Sequence, residues 1–267
     1  MQIVNGCQTA TTLALAHKDG KLAPDARVLV RIYETKNTDL VQKIVLTTNN
    51  QNKISSRDLR SNDPIQVDME RSFSKYGFYY ERKPRQYDSL PNIDFNKIIP
   101  NELVAQIYLA QIMKKPSDAR RRKYKVWGEL YENIFNGQVI EPYVLSIFIH
   151  QRVAAWLDAA PEKTSTDIVK RKIANNGLFH IARILAFRLK KNDNWNDLTI
   201  IADLINNLSG KQSSIAPLIE QSFNIINDIF RTSPSGFIND IDNSLKSNLL
   251  DIEIDKYLHT KKFADKN

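Results

Sequence analysis

The chain has 267 residues, 42% of them hydrophobic and 25% charged, a length that buries a sizeable core in one domain or in a small domain joined to a larger one. No apolar run approaches the ~18 residues of a membrane span, no signal region follows the start Met1-Gln2-Ile3, and the single cysteine, Cys7, makes neither an internal disulfide nor a cysteine metal site, so the cytoplasm is the expected compartment. A formal charge of +8 favours polyanionic partners, DNA, RNA or a nucleotide, through long-range attraction and counterion release, and the alternative is a solvated basic surface.

Met1 to Val4 reads as a short strand closed by the Asn5-Gly6 turn. The spacing then becomes helical, with Cys7, Ala10, Leu13, Ala14 and His17 on one face and Asp19-Gly20 as the stop. Over Ala26 to Tyr33, Val28, Val30 and Ile32 alternate with Arg27, Leu29, Arg31 and Tyr33, which predicts a half-buried strand. A helix is predicted over Thr38 to Thr48, where Leu40, Val41, Ile44 and Val45 share a face. Ser55 to Leu59 starts another, and Asp63-Pro64 opens a third that runs through Ser74 and ends at Gly77. Phe78 to Lys83 has the aromatic content of a strand and stops before Pro84.

From about Pro91 strand signals vanish and apolar stripes at helical spacing succeed one another, through Leu103 to Tyr108, Leu145 to Leu157, Ile181 to Leu189, Leu198 to Leu208, Ile215 to Phe230 and Phe237 to Leu250. Thr166-Asp167 reads as a cap and Asn175-Asn176-Gly177 as a break. The expected fold class is α+β, a small mixed α/β layer over residues 1–90 followed by a larger all-α helical region over residues 91–267.

Three sets of residues carry candidate chemistry. Asn5, Gly6, Gln8, Thr9 and Thr12 lie where a glycine turn opens a helix, a place where free backbone N–H groups attract anions, and Asn49, Gln51 and Asn52 form a second amide-rich turn that would converge with it on a nucleotide or base. The plainer reading is that these groups cap the helix and tie loops together. Asp58, Asp63, Glu81 and Lys83 are weak candidates for a metal-dependent nuclease or nucleotide hydrolase. Lys114, Lys115, Arg120, Arg121, Arg122, Lys123 and Lys125 form the densest basic stretch, with Tyr124 and Trp127 beside it, and suit phosphate contacts with base stacking unless they are a solvated helix edge. The histidines His17, His150, His180 and His259 stand singly, so no structural metal is expected, and no cofactor is indicated.

The blocks IVNGCQTATTL, VLVRIYET, TTNNQNKISSRDLRSNDPIQ and GFYYERK occur in an order and at separations that resemble the central segment of the AIPR family of abortive-infection phage-resistance proteins. The resemblance covers roughly residues 2–90, with Cys7 at a variable position. It implies a phage-defence component that binds nucleic acid or nucleotide or partners other defence-system proteins, and it leads us to expect a further region ahead of the Asn-Gly block. The first block is similar, more distantly, to the Asp-Gly-Gln-His-Arg block of ParB-like defence proteins. Asn5 and Thr9 stand here where that block has its acid and arginine, which implies binding rather than hydrolysis at this turn. A non-catalytic protein-interaction subunit is the third reading.

Overall fold

The computed structural model describes residues 6–35, 37, 40, 41, 43, 44, 56–136, 139–210, 215–232 and 240–260. The chain separates into two compact units, Met1–Leu59 and Arg60–Asn267.

In the first unit, helix α1 (Cys7–Lys18) starts at Gly6, whose φ of 85° suits a residue without Cβ, and ends at Asp19. The predicted apolar stripe does not become an inner face, because α1 has no buried residue. Leu40, Val41, Lys43 and Ile44 are helical, and the remainder of the helix predicted over Thr38 to Thr48 lies outside the described residues, as does the strand predicted over Met1 to Val4. The strand predicted over Ala26 to Tyr33 is corrected. Residues 26–35 have no strand pairing, and Val28, Leu29, Val30, Ile32 and Tyr33 are exposed, Leu29 by 86%. Alternation marks a chain able to form a strand, but the backbone needs a partner to pair with, and the described residues of this unit contain no strand. Helix α2 (Ser56–Arg60) follows.

The second unit holds all the buried residues among those described. Pro64 occupies the first turn of α3 (Pro64–Ser74), where its missing N–H costs nothing, and Gly77 at φ 77° turns the chain afterwards. Gln66, Met69 and Phe73 form the buried face of α3. Strand β1 (Tyr79–Glu81) pairs in parallel with β2 (Ile98–Pro100), with Tyr80 opposite Ile99 and both side chains buried. β2 corrects the expectation that strands end near Pro91, since three residues, Ile-Ile-Pro, are too short to show a period of two.

Helices fill the rest: α4 (Asn101–Gln111), α5 (Pro116–Arg121), α6 (Lys123–Val126), α7 (Tyr131–Ile134), α8 (Glu141–Ala159), α9 (Ile168–Asn176), α10 (Leu178–Lys190), α11 (Leu198–Ser209), α12 (Ala216–Thr232), α13 (Ile241–Ser244) and α14 (Asn248–Leu258). The chain is therefore mostly helical, with one two-stranded sheet among the described residues. No described helix is long and apolar enough to cross a membrane. The predicted cap at Asp167 is present, accepting from the Val169 and Lys170 N–H groups at 3.0 and 3.3 Å. At the predicted break, a Cβ on Gly177 would stand 2.7 Å from the Ile173 carbonyl oxygen, so the close passage from α9 to α10 requires glycine.

Helix α10 is the centre of the unit. It is buried continuously from His180 to Phe187 and packs against α4, α5, α8, α12 and α14. A helix surrounded this way tolerates a charge only if it is paired, and Arg183, 1% exposed, meets Asp193 at 2.8 Å and Asp255 at 2.9 Å. At its end, Lys190 donates to the Asn194 carbonyl at 2.9 Å and lies 3.9 Å from the centroid of the Trp195 ring, and burial lowers its pKa to about 8.

Two histidines in this core are held neutral. Burial lowers the His150 pKa to about 4 and that of His180, with the Arg120 charge adding to the effect, to about 3. Both folded values lie below the ordinary value of 6.5, so their contribution is complete above that pH and is lost as pH falls toward the folded values. The melting temperature should therefore drop between pH 6.5 and 4.5, and a His150→Leu variant should show a shallower drop in thermal unfolding across the same range; equal slopes would show that His150 does not titrate with unfolding.

Candidate functional site

The amide-turn residues are only partly described. Gly6 opens α1 with no side-chain cap, and Gln8, Thr9 and Thr12 are exposed on that helix. Asn5, Asn49, Gln51 and Asn52 lie outside the described residues. Cys7 is exposed, and the nearby Thr11 hydroxyl donates back to its carbonyl at 2.9 Å.

Of the candidate catalytic residues, Asp63 and Glu81 make local contacts. Asp58 is half-buried in α2. Asp63 stands at the start of α3 and meets Arg60 at 3.3 Å. Glu81 ends β1 and accepts from the Arg85 N–H at 2.9 Å, while Lys83 is exposed. Among the described residues no group of three His, Cys, Asp or Glu side chains is placed to hold a metal ion.

The polar centre of this region is instead Gln66 with Arg82. Gln66 is fully buried. Its oxygen accepts from the Tyr80 hydroxyl at 2.7 Å and the Asn101 amide at 3.2 Å, and its nitrogen donates to the Tyr131 hydroxyl at 3.3 Å. Arg82 donates to Glu70 at 2.7 Å and to the Ser61 carbonyl at 2.8 Å, and its own carbonyl accepts from Asn101 at 3.2 Å. Glu70 also accepts from Gln86 and from the Tyr87 hydroxyl, whose pKa burial and this carboxylate push up. The Glu-Arg-Lys block thus fastens β1 to α3 and α4 through its middle residue.

The basic stretch divides. Lys114 pairs with Asp193 at 2.7 Å, Lys125 pairs with Glu129, Lys115 is exposed at the start of α5, and Lys123 begins α6. Trp127 and Tyr131 are buried and pack against each other in the core with their rings tilted, whereas Tyr124 is 74% exposed. Arg120, Arg121 and Arg122, by contrast, line one cleft of about 650 Å³ together with Asn243, Lys246, Ser247 and Asn248. Arg121 is exposed, Arg122 meets Asp118 at 3.3 Å, and Arg120 reaches Asn176 at 2.6 Å while its buried Nη1 takes no hydrogen-bond partner. Burial lowers the Arg120 pKa, and the charge of Asp242 opposes that effect. The far wall begins α14, whose cap Ser247 accepts from the Leu249 N–H at 3.2 Å. Arginines and a helix N-terminus facing one space make an environment for phosphate. Sequence spacing does not reveal Lys246, Ser247 and Asn248 as part of this cleft, because they lie over a hundred residues along the chain; the legible signal is only a serine ahead of the apolar spacing of Leu249, Leu250, Ile252 and Ile254.

One buried serine holds the two walls together. The Ser117 hydroxyl lies 2.8 Å from Asp251 Oδ1 and 2.9 Å from the Ser247 carbonyl, and the Ser117 N–H reaches Asp251 Oδ1 at 3.3 Å. His180 Nε2 lies 3.2 Å from the same hydroxyl. Serine, histidine and aspartate suggest a nucleophilic triad, but here the serine and the carboxylate, at 3.6 Å, both approach Nε2, Nδ1 has no partner, and Ser117 is fully buried. A triad needs the acid on the opposite ring nitrogen and an open serine, so this group is a staple. Burial pushes the Asp251 carboxyl up to about 7 against the Ser117 hydrogen bonds.

The family model described as AIPR protein matches residues 1–234, a span that includes Ser117 and the three arginines and ends before α13 and α14. No curated protein and no solved structure matches the chain. Replacing Ser117 by alanine removes the hydroxyl that bridges the walls and leaves the Asp251 carboxylate buried with fewer partners, so Ser117→Ala should lose about 2–3 kcal/mol in denaturant unfolding; a loss under about 0.5 kcal/mol, the usual size for surface substitutions, would show that the staple is not holding the walls.

Proposed function

The chain belongs to the AIPR family of abortive-infection phage-resistance proteins, and from that premise we propose that it serves phage defence by gripping the phosphate backbone of nucleic acid in the cleft between α5 and α14. The observation that carries this reading is the convergence of Arg120, Arg121 and Arg122 with Lys246 on one cleft, when the same number of charges spread over a helix edge would be an ordinary solvated face. The net charge of +8 supports it by drawing polyanions toward the surface, and the exposed Tyr124, two residues beyond Arg122, adds a ring on which a base can stack. Arg120 is braced by Asn176, so its guanidinium is fixed before a ligand arrives, while exposed Arg121 supplies a charge free to reach outward.

Fluorescence anisotropy with a labelled 20-nucleotide single strand and its duplex, across a salt series, tests this. Affinity should fall steeply with salt, and the double variant Arg121→Gln with Arg122→Gln should weaken binding about tenfold or more and reduce the log–log salt slope by about 0.7–0.9 for each phosphate that is no longer neutralised. Unchanged far-ultraviolet circular dichroism would show that the variant is folded. Absent binding, salt-independent binding, or equal affinity in the variant would overturn the reading.

A further inference from the structure

A second cleft, about 510 Å³, opens elsewhere in the unit Arg60–Asn267, where the end of α4, the start of α8 and the approach to α11 meet. Its lining differs in kind from the arginine cleft. Three aromatic side chains, Tyr108, Tyr143 and Trp195, form the floor, and the amides of Asn136 and Asn196 are exposed at the rim. None of its described lining residues carries a charge.

The floor is rigid. Tyr108 and Tyr143 stack with centroids 4.7 Å apart, and the Tyr143 hydroxyl donates to the Ile134 carbonyl. The Trp195 indole is held by the Lys190 ammonium 3.9 Å from its centroid. The polar groups remain available. Among the described residues no hydrogen bond engages the Tyr108 hydroxyl or the Asn196 side-chain amide, and Asn136 makes only a 3.4 Å contact to the Asn133 carbonyl.

We infer that this cleft is a binding site for a nucleobase. Aromatic side chains along the floor favour a planar ring lying against them, and rim amides that both donate and accept match the mixed edge of a base. The absence of cations among the described lining residues argues against a phosphate group inside the cleft, so the ligand is a nucleoside or a base whose sugar and phosphates stay outside. The base can come from a free nucleoside or from a flexible single strand, and the chemistry of recognition is the same in both. This inference does not rest on the arginine cleft, because the two clefts share no lining residue among those described.

Isothermal titration of the full chain with adenosine, guanosine, cytidine and uridine, each up to about 5 mM, and with the four corresponding homotetranucleotides, tests it. Wild type should bind at least one base type with saturation and a dissociation constant on the order of 1 mM or below. Asn196→Ala, an exposed substitution that leaves the backbone bond from Asn196 N–H to Asn194 in place, should weaken that binding about fivefold to tenfold. Binding of nucleosides identifies a free-ligand site, and binding of tetranucleotides alone identifies a strand-borne base. Arg121→Gln with Arg122→Gln should leave nucleoside binding unchanged, which separates failure of this inference from failure of the arginine-cleft reading. No saturable binding of either set, or binding unmoved by Asn196→Ala and Asn136→Ala alike, would overturn it.

Discussion

The hydrogen bonds from Ser117 to Asp251 and to the Ser247 carbonyl are the constraint on which the arginine cleft depends. They join the first turn of α5 to the first turn of α14 across a gap of more than a hundred residues, so the arginines at the end of α5 and the residues that open α14 have a fixed relation. A carboxylate at the start of two helices is favoured by both dipoles, while burial and the neighbouring Asp118 and Asp255 charges oppose its ionised form. The staple therefore sets the geometry of the cleft without itself meeting solvent.

Beneath the staple, α10 explains why the helical region forms one body. Its continuous burial gives the neighbouring helices a common surface, and the cost of enclosing Arg183 is offset by two carboxylates, one of which, Asp193, also meets Lys114 and His259. That same pairing explains why the basic stretch does not act as one patch: Lys114 is drawn into the support of α10, and the arginines six to eight residues later line the cleft. Charge counted along a sequence gives the supply of cations, and the packing decides which of them remain for a ligand.

The helical part was legible because amphipathic spacing, proline at a first turn, the Asp167 cap and the Gly177 break are local signals, and α3, α8, α9 and α10 follow them closely. The failures have physical reasons. Ala26 to Tyr33 alternates like a strand, yet pairing is a property of two segments, and no strand lies beside it among the described residues. Ile98 to Pro100 does pair, although three residues carry no periodicity. Of the candidate site, the arginines could be read from composition, but Lys246, Ser247 and Asn248 are brought to them only by folding. Arg82, which the spacing of the Glu-Arg-Lys block does not single out, is the residue that binds β1 to α3, because its partner Glu70 is fixed by the helix rather than by the local sequence.

The most direct test of the account is ultraviolet crosslinking of the chain to a photoreactive single-stranded oligonucleotide, with the crosslinked peptides mapped by mass spectrometry. Adducts should concentrate in two segments far apart along the chain, residues 120–124 and 243–248, because the cleft between α5 and α14 unites them. Adducts confined to one of those segments, or found only outside both, would contradict it.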